Sequence, residues 1–162
     1  MDIPTEKDWL DWPEDAQRPL DLDEEYARQQ FEGKSFEEAL QLFRSQDVLM
    51  RSEDVSYMPP VPFRYYIRVL KAYVLELGER EIKERDLLDD PSSAASSFLN
   101  LVERKLRPEI NFIAPIMDDL LPAVEFIAMN QDKYFATPDI YGDFRDQLAR
   151  IKALCGGLIT DH

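Results

Sequence analysis

Between Pro62 and Gly78 the sequence carries Phe63, Tyr66, Ile67, Leu70, Tyr73, Val74 and Leu77 in an unbroken helical stripe, which Tyr65, Val69 and Ala72 widen over most of the circumference. A helix that is apolar nearly all round is stable in water only where other elements cover it. The remaining segments must supply that cover, so a helix over 63–77 is the expected centre of the fold. Pro62 suits its first position, where a missing N–H costs nothing, and Gly78 is expected to end it.

The flanking segments read as helices of ordinary amphipathic kind. Asp21 and Glu24 suit a helix start, and Leu22, Tyr26, Gln30 and Phe31 follow at helical spacing up to Gly33, which gives a helix over 22–32. Ser35 with Glu38 forms a capping box for a helix over 36–46 that turns Phe36, Leu40 and Phe43 to one side. Asp90 before Pro91 caps a helix over 91–106 with Ala95, Phe98, Leu99, Val102 and Leu106 inward, and the small residues of PSSAASS would let a second helix approach closely. Pro108, Pro115 and Pro122 recur every seven residues along the apolar row Ile113, Met117, Leu120, Val124 and Ile127. An interior proline removes a backbone hydrogen bond, so a short piece followed by a helix over 116–130 that bends near Pro122 is expected. Thr137 and Pro138 would cap a last helix with Ile140, Phe144, Leu148, Ile151 and Leu154 on one face, closed by Gly156 and Gly157. Residues 51–62, with Pro59, Pro60 and Pro62, read as an ordered loop, and residues 78–90 as a solvated turn or short helix. No alternation suits a strand. The expected fold is all-α, about six helices in a single compact bundle or orthogonal array. Its core should contain Phe63, Ile67, Leu70, Val74, Phe98, Val102, Leu120, Val124, Phe144 and Leu148.

Charge divides the chain differently. Its 162 residues carry a net charge of -14, and the first 25, with ten acids and two bases, hold -8 of it. Pro4, Pro13 and Pro19 interrupt any long helix there, while Trp9, Leu10, Trp12 and Leu20 need cover from water. We therefore expect residues 1–20 to form an acidic, extended N-terminal arm and residues 21–162 a single helical domain. Either the arm lies across the body and buries Trp9 or Trp12, or it stays mobile and offers itself to a basic partner. Asp8, Trp9, Asp11, Trp12, Glu14 and Asp15 are the candidate partner-binding residues, with carboxylates to steer the encounter and tryptophans to anchor it.

The chemistry on offer is narrow. A nucleophilic Ser or Cys generally needs a base beside it, and the one histidine is His162 at the last position. The one cysteine, Cys155, leaves no internal disulfide and reads as a small buried hydrophobe. No glycine-rich phosphate loop, His/Cys cluster or calcium-loop spacing occurs, so no metal, cofactor or enzymatic activity is expected. Arg64, Arg68 and Lys71 recur at i, i+4 and i+7 beside the central stripe, which makes them either a possible anion site or partners of acids such as Glu76 or the arm. Nucleic acid is an unsuitable ligand for so acidic a surface. The opening MDIPTEKDWL has neither a basic nor an apolar leader and no apolar run is long enough to cross a membrane, so a cytoplasmic protein is expected. The expected function is that of a non-enzymatic binding protein docking on a basic protein surface, as an inhibitor of the immunity-protein kind would. The alternative is a structural or regulatory subunit whose interface is apolar.

Overall fold

The computed structural model describes residues 1–14, 16, 21–80 and 90–160, and leaves aside the side chains of residues 21 and 158–160. The fold is all-helical, with no strand among the described residues. The helices are α1 (Glu6–Leu10), α2 (Asp21–Phe31), α3 (Phe36–Ser45), α4 (Val48–Ser56), α5 (Pro60–Glu79), α6 (Pro91–Lys105), α7 (Ile110–Ile113), α8 (Met117–Met129), α9 (Pro138–Tyr141) and α10 (Phe144–Thr160). Two 3-10 turns, Ala114–Ile116 and Gln131–Tyr134, join them. This is more than the expected six, because the last expected helix is split, the expected short piece before α8 is itself a helical turn, and the expected loop at 51–62 and the arm each contain a helix.

The central stripe behaves as its composition demands. α5 is touched by α1, α3, α4, α6, α7 and α8, and all ten expected core residues are buried. α10 packs on α8 and α6, and α2 packs on α4. Tyr66 shows how the centre handles a polar tip. Its hydroxyl hydrogen-bonds to the carbonyls of Phe31 and Lys34, meeting groups that the end of α2 leaves without intrahelical partners.

Four expectations are corrected. Residues 51–62 are mostly helical, with only residues 57–59 between two helices. Asp47 Oδ1 accepts from Leu49 N at 2.9 Å and caps α4, which turns Val48, Ser52 and Val55 inward. Pro59 is then the N-cap of α5 and Pro60 and Pro62 lie in its first turn, where N–H groups have no intrahelical acceptor anyway. Gly78 does not end α5 but lies inside it, buried, where a Cβ would overlap the Tyr134 hydroxyl and ring. The last helix is split: Gly142 at φ 77° turns the chain between α9 and α10, and α10 continues through Gly156 and Gly157. Ile140 is consequently 77% exposed instead of packed. The fourth correction is the arm, which is not extended throughout. Thr5 and Asp8 form a capping box, and the helix it opens carries Trp9 into the core.

Elsewhere the local signals hold. α3 opens on the Ser35–Glu38 box and α6 on Asp90, whose Oδ1 accepts from Ser93 N at 3.1 Å. The proline-rich stretch divides as expected into a short piece, α7, and a longer α8 that runs through Pro122. Most of the expected turn at 78–90, and Leu20 of the arm, lie outside the described residues.

Candidate partner-docking surface

The arm crosses α5 and lies beside α2. Its start is fixed where Arg68 Nη1 donates to Met1 Sδ at 3.1 Å, and its far end where Trp12 Nε1 donates to Glu24 Oε1 at 2.7 Å. Between them Trp9 is only 1% exposed, with its ring centroid 6.1 Å from that of Tyr66. Trp12 is half-buried against Phe112 at 6.3 Å. Both indoles therefore face the body and neither is presented as a free anchor. The carboxylates point the other way. Asp11 and Glu14 are exposed, and Asp8 is half-buried while it accepts from Thr5 N at 2.8 Å. Asp15 lies outside the described residues.

The three bases of the central helix are committed. Arg68 Nε and Lys71 Nζ each lie 3.1 Å from Asp119 on α8. Among the described residues no carboxylate contacts Arg64. Its Nε donates to Phe112 O and its Nη2 to Asn111 O, both at 2.8 Å, so it ties α5 to the carbonyls of α7. Side chains used in this way are held against their own protein and do not converge on an open anion site.

A buried polar group beside this surface has a shifted pKa. On α4, Arg51 and Asp54 are both buried and lie 3.2 Å apart, and Arg51 also donates to Gln30 and Tyr26 of α2. Burial pushes the Asp54 carboxyl up to about 6, against the pull of Arg51. Lys105 is buried too. Its ammonium donates to Ser56 O, pairs with Glu109 at 3.3 Å and sits 4.8 Å from the centre of the Phe112 ring, while burial lowers its pKa. Cys155 is half-buried on α10, and burial raises its thiol away from the reactive thiolate. His162 lies outside the described residues. Among the described residues no three His, Cys, Asp or Glu side chains are grouped to hold a metal ion, and no helix is long and apolar enough to cross a membrane.

One end of the molecule has a geometry that sequence reasoning missed. The segment from Met129 to Phe144 is knotted around Gln131, whose Nε2 donates to Ala136 O and Gly142 O at 2.8 Å each and whose Oε1 accepts from Phe144 N at 2.9 Å. Phe135 is held at φ 55°, in the left-handed region that side chains other than Gly, Asn and Asp rarely adopt. It is 53% exposed, and Met129 is 57% exposed. Beside them a recess of about 260 Å³ is lined by Met129, Asp132, Lys133, Pro138, Asp143 and Arg145 among others. A larger cleft of about 420 Å³ runs between α4 and α6, with Leu49 and Leu101 at its apolar side and Glu53, Glu103, Arg104 and Arg107 balancing one another in charge. No known protein family, no curated protein and no solved structure matches the chain.

Proposed function

We propose that this is a non-enzymatic, cytoplasmic binding protein whose acidic surface docks on a basic protein, in the manner of a small inhibitor or immunity-type protein. The observation that carries the reading is the orientation of the arm: its tryptophans turn inward while Asp11 and Glu14 stay exposed and Asp8 keeps part of its carboxyl at the surface, so an acidic strip lies over a packed surface. A strip held in place contributes a fixed field, which speeds encounter with a positive surface over about one Debye length, roughly 8 Å at physiological salt. Nearby bases offset only part of this. Arg28 lies 3.7 Å from Glu6 of the arm but is held more closely by Glu32 at 2.6 Å, and Arg68 and Lys71 are drawn to Asp119 on α8.

The test uses the partner recovered from native cells and identified by mass spectrometry. Association should slow as salt rises, and the double substitution Asp11→Lys and Glu14→Lys should lower the association rate about tenfold at low salt and flatten that dependence. An association rate indifferent to both salt and charge reversal would reject the reading in favour of an apolar regulatory interface.

A further inference from the structure

We propose that the corner formed by Met129 and residues 131–146 is the anchoring surface of the docking reaction, and that its occupant is a basic protein surface with an apolar centre. The proposal rests on the acidic-docking reading and names the place where affinity is generated. Long-range charge gives rate and selectivity, but a specific complex also needs a few large side chains buried at its centre, most often aromatic. The arm cannot supply the aromatic ones, because Trp9 is in the core and Trp12 is tied to Glu24 and Phe112, and the large apolar side chains it does expose, Met1, Ile3 and Leu10, are aliphatic. Phe135 is the most exposed aromatic side chain among the described residues, and Ile140 and Met129 are large, apolar and exposed within the same short segment.

Three features separate this corner from chance exposure of single hydrophobics. The first is rigidity. Gln131 hydrogen-bonds to three backbone groups spread from Ala136 to Phe144, and Tyr134 beside Phe135 is fully buried with its hydroxyl donating to Val74 O at 3.0 Å. Side chains held in place before binding lose little freedom on binding. The second is the backbone of Phe135. A left-handed φ disfavours a residue of this kind, and the ring it carries points out of the core that would otherwise reward it. The third is charge. Between Gln131 and Asp146 the sequence holds Asp132, Asp139, Asp143 and Asp146 against Lys133 and Arg145, and all six are exposed. Asp132 and Asp143 line the recess together with Lys133 and Arg145, so the recess itself is balanced in charge and the acidic surplus of the corner comes from Asp139 and Asp146. An apolar centre with an acidic rim is complementary to an apolar centre with a basic rim, which fixes the chemistry of the occupant.

The probe is a short amphipathic helical peptide of leucine and lysine, with its leucine and glutamate counterpart as control, titrated into the isotope-labelled full chain and followed by amide NMR. Saturable shifts confined to residues 129–146 with the lysine peptide alone are expected. Phe135→Asn, which keeps the left-handed conformation accessible, and Ile140→Ser should each weaken binding at least about tenfold without altering the rest of the spectrum. Shifts that map to the arm and α2, with both variants binding normally, would overturn this site and leave the acidic reading standing. Absence of any binding at low salt would remove the acidic reading itself. Shifts at the corner that grow with protein concentration before peptide is added would make a second copy the occupant and overturn the proposal.

Discussion

Replacing Trp9 tests whether the arm belongs to the core. The side chain is 1% exposed, and an indole covers about 150 to 250 Å². At about 25 cal/mol per Å², that area corresponds to roughly 4 to 6 kcal/mol as an upper estimate. Trp9→Ala should accordingly cost about 3 to 5 kcal/mol, the range for large aromatic truncations in cores. A second term has the opposite sign. Trp9 Nε1 is buried and finds no hydrogen-bond partner among the described residues, and a buried unsatisfied donor costs about 1 to 3 kcal/mol. Trp9→Phe removes that donor while keeping an aromatic ring near Tyr66, so relief should offset most of the lost volume and leave a cost of about 1 kcal/mol or less. Urea unfolding followed by far-ultraviolet circular dichroism measures both changes without relying on tryptophan emission. A Trp9→Ala cost below about 0.5 kcal/mol would show that the arm is not docked. Equal costs for the two variants would show that the indole N–H has a partner.

Three further outcomes follow from particular contacts. Gly78→Ala should destabilise by about 1 to 3 kcal/mol, because its Cβ would overlap the Tyr134 side chain, and in a Tyr134→Leu background most of that cost should vanish in a double-mutant cycle. Asp54 has a folded pKa of about 6, above the ordinary carboxyl value, so its contribution to stability is complete below pH 4 and is lost as pH rises through 6. Stability of the native chain should fall by about 2 to 3 kcal/mol more than that of Asp54→Asn between pH 4 and 7.5 in urea titrations, and parallel profiles would refute the shift. Arg64→Met should destabilise by about 1 to 3 kcal/mol although no ion pair among the described residues is broken, since it strands the carbonyls of Asn111 and Phe112, and a neutral result would return Arg64 to the available cations.

The parts of the fold legible in the sequence are those fixed by contacts only a few residues apart. The Ser35–Glu38 box and the Asp90 cap are satisfied within one helical turn, and the ends of α3 and α6 fall where those residues place them. The parts that were not legible depend on distant partners. Gly78 carries a stop signal locally, but Tyr134 needs the space that its missing Cβ leaves, and the helix runs on for one more residue. The three prolines at 59–62 count against a helix only in its interior, and nothing nearby states that α5 begins among them. On α2 the periodicity points Leu22 and Tyr26 inward, yet Ala27 and Phe31 are buried and Leu22 is 78% exposed. Small Ala27 is a weak sequence signal, but it is the residue that faces the core. The anchoring corner failed for a related reason. Ile140 fits the row of Phe144 and Leu148 until Gly142 reverses the chain, and the knot around Gln131 is made of backbone partners that no pattern displays.

The distribution of pairing explains how a net charge of -14 can act at a distance. Several cations are spent on contacts that hold helices together: Arg44 with Glu76 between α3 and α5, Arg68 and Lys71 with Asp119 between α5 and α8, and Arg150 of α10 with Glu103 of α6. Such contacts hold positive charge close to negative, with two bases on the single carboxylate of Asp119, while the acidic surplus of the chain lies on exposed carboxylates, among them Asp11 and Glu14 on the arm and Asp132, Asp139 and Asp146 at the corner. Charge of that kind governs how fast a partner arrives and contributes little to how long it stays, because exposed pairs are weak once formed. Residence must come from desolvated contacts, for which Phe135 and Ile140 are placed. The two surfaces should therefore separate kinetically with the same partner: Asp11→Lys and Glu14→Lys alter the association rate, whereas Phe135→Asn accelerates dissociation and leaves association nearly unchanged. Loss of both rates' sensitivity to the corner would mean that the exposed ring has no part in binding.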